Sequence, residues 1–213
     1  MSFNLLLQFM NIDSAIIYLQ KVDPIMAKLI KRFDPPNLKP NKNYFESLVR
    51  SIIYQQLSGS AARVIYNRFK NLFDNKYLSN SKNILKMPSD ELQKVGLSKQ
   101  KIIYLKALSK QWDKIERKFS NIKMMSNYEI SKILLEVKGV GQWTVDMFLI
   151  FTLAREDVFP SGDLAIKKGF AAIRNMNILP TEKYMSEESK IWKPYRTVAS
   201  LYLWKISDGE SEW

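Results

Sequence analysis

Apolar residues along this chain recur at intervals of three and four, and no region sustains the period-two alternation of a half-buried strand. Phe45, Leu48, Val49, Ile52 and Ile53 stand at i, i+3, i+4, i+7 and i+8, which is one face of a buried helix. Upstream, Asp23-Pro24 reads as an N-cap with proline at the first helical position, opening a helix through about Arg32. Asp34 to Asn43 (DPPNLKPNKN) cannot continue that helix and is the clearest linker. The Phe45 helix should break near Ser58-Gly59, with the next helix over Ala61 to Phe73. Pro88-Ser89-Asp90 starts a short helix that stops at Gly96, and Lys99 to Trp112 forms an amphipathic helix with a basic outer face. Ser126-Asn127-Tyr128-Glu129 is a capping box, so a helix begins there and runs to about Val137. Gly139-Val140-Gly141 interrupts it, and a second apolar helix follows through about Leu153. Pro194 reads as the first turn of a final helix ending near Ser207, before Gly209. With no internal repeat or low-complexity tract, the pattern predicts an all-α fold.

Composition narrows the chemistry more than the fold. The chain has 213 residues, 46% of them apolar, which predicts one domain or two small lobes with a substantial core. It contains neither cysteine nor histidine. That excludes disulfides, zinc–thiolate sites, iron–sulfur clusters, a cysteine nucleophile, Ser-His-Asp triads and imidazole acid–base catalysis. An enzyme built from this chain works with carboxylates, lysine, tyrosine, serine or threonine. Thirty-three Lys and Arg against 21 Asp and Glu give a net charge of +12, which favours a polyanionic partner. Nucleic acid fits better than an anionic membrane surface, because no long basic helix carries a strong apolar stripe. Met1 to Met10 is apolar but has no cationic start or small-residue cleavage site, and Met147 to Ala154 is too short to span a bilayer. The expectation is a soluble, intracellular protein.

Leu134 to Gly169 carries the most chemistry. A capped helix, a Gly-Val-Gly turn and a second apolar helix make a helix–hairpin–helix. Its glycines allow positive φ and a close backbone approach to a ligand, and its amides and the following helix N-terminus suit a phosphate beside Lys138. A turn that needs glycine for geometry alone would look the same. Asp163 follows the Phe159-Pro160-Ser161-Gly162 loop, which sets its carboxylate at the mouth of the next helix; an N-cap there is the plain alternative.

Taken together, the Lys138-Gly139-Val140-Gly141-x-Trp143-Thr144 run and the later Asp157-Val158-Phe159-Pro160-x-x-Asp163-Leu164 run resemble the helix–hairpin–helix DNA glycosylase superfamily, in its 3-methyladenine DNA glycosylase II (alkylbase) branch. Tyr54-Gln55-Gln56-Leu57-Ser58, Val95-Gly96-Leu97-Ser98 with Lys101, and Trp192-Lys193-Pro194-Tyr195-Arg196 with Trp204 extend the likeness over roughly Tyr44 to Ser207.

The resemblance implies a two-lobed helical bundle with its active-site cleft between the lobes. Residues 1–43 with 155–213 would form the lobe carrying the catalytic aspartate. Residues 44–154 would form a central lobe with the helix–hairpin–helix at about 130–153. It makes Asp163 the catalytic carboxylate and Trp143, Trp204 and Tyr44 aromatics of the base pocket. Gln56 falls at the wedge that enters the duplex, with Gln55 or Leu57 able to share that role. Lys138, Gly139, Val140, Gly141 and Thr144 become contacts to the DNA backbone. No cofactor is implied beyond a structural Na+ or K+ held by the backbone carbonyls of Leu135, Val137 and Val140.

Members that also nick the strand carry a lysine where this chain has Trp143, so the resemblance implies a monofunctional enzyme that leaves an abasic site. The implied partner is double-stranded DNA containing alkylated purines of the 3-methyladenine and 7-methylguanine type, bound by a monomer. Two alternatives stay open: another lesion on the same scaffold, such as hypoxanthine or ethenoadenine, or a non-catalytic helix–hairpin–helix DNA-binding module.

Overall fold

A computed structural model describes residues 11–73 and 80–207. The apolar start, Met1 to Met10, and Gly209 lie outside them. Among the described residues there are twelve α-helices and no strand, so the fold is all-α as the spacing predicts. None of these helices is long and apolar enough to cross a membrane. The described residues within Met1–Pro40 and Leu149–Trp213 form one compact unit, and those within Asn41–Phe148 form a second. One boundary falls in the proline-rich linker. The other falls at Phe148–Leu149, where the chain leaves its hairpin helix as a π-helical segment, Phe148–Thr152.

In the second unit, α3 (Tyr44–Tyr54) buries Phe45, Leu48, Val49, Ile52 and Ile53, the face set out by the sequence. It packs against α4 (Gly59–Asn71) and α7 (Lys99–Lys118). α4 begins at the Ser58 N-cap, and α6 (Ser89–Lys94) ends before Gly96, whose φ is +100°. α7 runs six residues past Trp112, because Ile115 and Phe119 continue its buried face. α5 (Ser81–Lys86), which the sequence pattern does not predict, is capped by the Asn80 side chain and packs on α7. Both capping-box hydrogen bonds between Ser126 and Glu129 are present at α8 (Asn127–Leu135), and α9 (Gln142–Met147) follows the glycine turn.

In the first unit, α1 (Ile12–Val22) pairs with α2 (Pro24–Arg32), and α10 (Leu164–Ile173) packs closely on α12 (Arg196–Ser207). Gly169 permits that approach: a Cβ there would lie 2.3 Å from the Leu203 carbonyl oxygen. α11 (Glu182–Glu188) and a 3-10 turn over Ser189–Trp192 complete the unit. Contrary to the sequence reading, Pro194 lies outside the last helix. Tyr195 N still closes the preceding turn on Trp192 O (2.7 Å), and Thr197 N donates to Glu156 O (3.0 Å) at the start of α12.

Candidate active site

The loop before Asp163 turns tightly, with Ser161 N donating to Phe159 O and Asp163 N to Pro160 O, both at 2.9 Å. Asp163 then occupies the N-cap of α10, and its Oδ1 accepts from Ile166 N at 2.9 Å. The same oxygen accepts the indole N–H of Trp204 at 3.1 Å. The carboxylate is 8% exposed and stands at the positive end of a ten-residue helix, which favours negative charge. Capping and a chemical role are therefore compatible: the cap fixes the side-chain rotamer and the helix supplies a complementary dipole.

Trp204, expected as an aromatic of the base pocket, lies buried in its unit. It is 2% exposed, its ring lies 5.5 Å from that of Phe151, and its N–H is directed at Asp163. α12 buries residues around most of its circumference, Val198, Ala199, Tyr202 and Leu203 among them, so an indole on it becomes core. Its polar edge anchors the carboxylate.

A second aspartate in the same unit repeats the pattern. Asp23 caps α2, with Oδ1 accepting from Ile25 N (2.9 Å) and Met26 N (3.2 Å). Its Oδ2 accepts from Trp192 Nε1 at 2.9 Å and from Arg174 Nη2 at 2.8 Å. It is 1% exposed and ion-paired, which suits a structural acid. The sequence reading found its cap and missed its partners, which lie more than 150 positions away along the chain.

In the other unit, Gly139 has φ +92°, and a Cβ on it would sit 2.0 Å from Cγ of Tyr104. Glycine is required there both by backbone conformation and by the ring above it. Gly141, in contrast, has nothing within 4 Å of where a Cβ would be, and its backbone starts α9 without a side-chain cap. Lys138 is exposed beside it. Val140 N donates to Val137 O at 3.0 Å, which closes the hairpin turn. Among the described residues no cluster of Asp, Glu, His or Cys could hold a metal ion.

Two backbone-contact and wedge assignments separate here. Thr144 is 1% exposed and its hydroxyl accepts from Gln55 Nε2 at 2.9 Å, so its side chain faces the interior of the unit and not a phosphate. Gln55 also donates to Gly139 O at 2.8 Å, which commits its amide to the hairpin and removes it from the wedge. Gln56 and Leu57 are exposed, and Gln56 has φ +57°. Lys101 donates to Ile53 O at 2.7 Å, just before this tip, and burial pushes its pKa down. Tyr44 is half-buried, edge-on to Phe119 and Phe148 at 6.4 and 5.9 Å, and Trp143 is also half-buried. Under the tip, Tyr66 donates to Glu46 at 2.6 Å, and burial followed by this bond raises its pKa. Lys101 belongs to the Val95–Ser98 match, but its bond to Ile53 O and the position of Tyr104 over Gly139 have no signal in the sequence.

Known proteins align with this arrangement along most of the chain. The family model described as HhH-GPD superfamily base excision DNA repair protein matches residues 49–194. DNA-3-methyladenine glycosylase 1 of Schizosaccharomyces pombe is 34% identical over 189 residues, 85% of this chain and 80% of that protein. The alkylbase DNA glycosidase-like protein mag2 of the same organism is 34% identical over 89% of this chain and 91% of its own. A solved structure of an S. pombe 3-methyladenine DNA glycosylase in complex with abasic DNA superposes with a TM-score of 0.84 at 33% identity, covering 94% of this chain and 99% of that one. With its glycine hairpin, its capped Asp163 and a family match spanning well over half its length, this chain belongs to the HhH-GPD superfamily of base excision DNA repair proteins.

Proposed function

We propose that this protein is a monofunctional DNA glycosylase that extrudes alkylated purines, of the 3-methyladenine and 7-methylguanine type, from duplex DNA and hydrolyses their glycosidic bond. The observation that carries the reading is Asp163, held by Ile166 N and Trp204 Nε1 at a helix N-terminus, in a chain 34% identical to a named DNA-3-methyladenine glycosylase.

Extruding a base costs a few kcal/mol, and an exposed side chain at Gln56 or Leu57 filling the gap offsets part of it. Alkylation at N3 or N7 makes the purine cationic and already a good leaving group, so no general acid is needed. That suits a chain without histidine. As the bond breaks, the sugar gains oxocarbenium character, and a fixed carboxylate at Asp163 stabilises it electrostatically and orients water. Trp143 offers a π-face to the cationic base, worth about 0.5–2 kcal/mol over a neutral one, which is enough for broad discrimination only. Tyr44 supplies a further aromatic edge. Trp143 replaces the lysine that would form a Schiff base, so the abasic strand stays uncut.

The hairpin at Lys138, Gly139 and Gly141, exposed at Lys138 and Gly141, grips a phosphate. A monovalent cation at the carbonyls of Leu135, Val137 and Val140 would add positive charge there. The protein acts where duplex DNA is, as a monomer. Base release from methylated duplex by the wild type, with none from Asp163→Asn, tests the reading. Salt-sensitive binding without release would support a binding module instead.

A further inference from the structure

The chain from Ile53 to Leu57 is tied down on two sides. Lys101 Nζ donates to Ile53 O at 2.7 Å, and Gln55 Nε2 donates to Gly139 O at 2.8 Å and Thr144 Oγ1 at 2.9 Å. Both hydrogens of the Gln55 amide are thereby used, on acceptors 84 and 89 positions away. Neither bond serves α3, since Gln55 N already donates to Ser51 O at 3.2 Å. Immediately beyond, Gln56 adopts φ +57° and is exposed. A non-glycine residue keeps that conformation when its surroundings over-determine it, and such positions concentrate at functional sites.

We propose that Gln55 is a positioning residue for base extrusion, a latch that fixes the exposed Gln56–Leu57 tip in register with the glycine hairpin. DNA gripped at the hairpin then meets a wedge already ordered, and insertion carries a smaller entropy penalty. The inference rests on the glycosylase reading above.

The test uses Gln55→Ala and Thr144→Val, the second of which keeps side-chain shape and removes one acceptor. Substrates are a duplex with 7-methylguanine opposite cytosine and the same lesion in an unpaired bulge, each with 2-aminopurine beside the lesion. A latch predicts about a tenfold loss of single-turnover rate on the duplex, together with loss of the fluorescence rise on binding. On the bulge, where little unpairing remains, both variants should approach the wild-type rate. A purely structural role would lower both substrates equally, and that result, or wild-type behaviour on both, overturns the latch. Should the wild type raise fluorescence without excising, the variants still decide the latch, and only the glycosylase reading falls. With neither signal from the wild type, both fall.

Discussion

Trp204 donates its indole N–H to the same oxygen of Asp163 that caps α10, at 3.1 Å. One carboxylate oxygen therefore joins the start of one helix to the middle of another, and the close α10–α12 contact at Gly169 sets the spacing between them. Asp23 and Trp192 make the corresponding contact at 2.9 Å, with Arg174 added. The shared arrangement, a helix cap that also accepts an indole N–H, holds each carboxylate in a fixed orientation.

Trp204→Phe removes that N–H and little volume. A hydrogen bond to a charged group is worth about 1.5–3 kcal/mol, so the single-turnover rate should fall about tenfold or more. KM should change little, because the bond acts on the transition state. Rapid-quench kinetics on a methylated duplex would check the split.

Gly169→Ala should harm both stability and rate. Its Cβ would collide with the Leu203 backbone oxygen at 2.3 Å, forcing α10 away from α12 and Asp163 away from Trp204. Overpacking of this kind costs about 1–3 kcal/mol, readable as a lower urea midpoint. Activity should fall further than the lost folded fraction explains.

How much of this was legible beforehand follows from distance along the chain. The buried face of α3, the Asp23 and Asp163 caps and the Ser126–Glu129 box are local patterns, and each is present. α1, α5 and α11 were not predicted, although Asn11, Asn80 and Thr181 cap them. These caps have neither the following proline of Asp23 nor the Glu at the third position of Ser126, and no Pro-Ser-Gly loop like the one before Asp163 sets them off. The contacts that Gln55 makes with the hairpin and Trp204 makes with Asp163 have no signal in the sequence. The partners are 84 and 41 positions distant, and periodicity says nothing about which donor meets which acceptor.

Gly139→Ala should be the more damaging of the two hairpin substitutions. Besides its φ of +92°, a Cβ there would lie 2.0 Å from Cγ of Tyr104, while Gly141 has open space. We expect Gly139→Ala to weaken duplex binding and stability together, and Tyr104→Ala to restore part of the stability only, since the backbone strain persists. Fluorescence anisotropy and thermal melts on the single and double variants would show it.

The capping box gives an acid-dependent contribution. Hydrogen bonds from the Ser126 backbone and hydroxyl hold the Glu129 carboxyl below its usual pKa. Its stabilisation is therefore complete above the unfolded-state pKa and disappears as pH falls through the lowered folded-state value. The stability gap between wild type and Glu129→Ala should be clear at neutral pH and close in strong acid, as urea midpoints at the two ends would report.

Everything chemical in this account passes through Asp163, and base release tests it most directly. Purified wild type and Asp163→Asn would be incubated with methylated duplex DNA, and the freed bases separated by chromatography. Release of 3-methyladenine by the wild type alone, with the variant still bound to duplex, is the expected result. Release at equal rates by both would contradict the carboxylate's role.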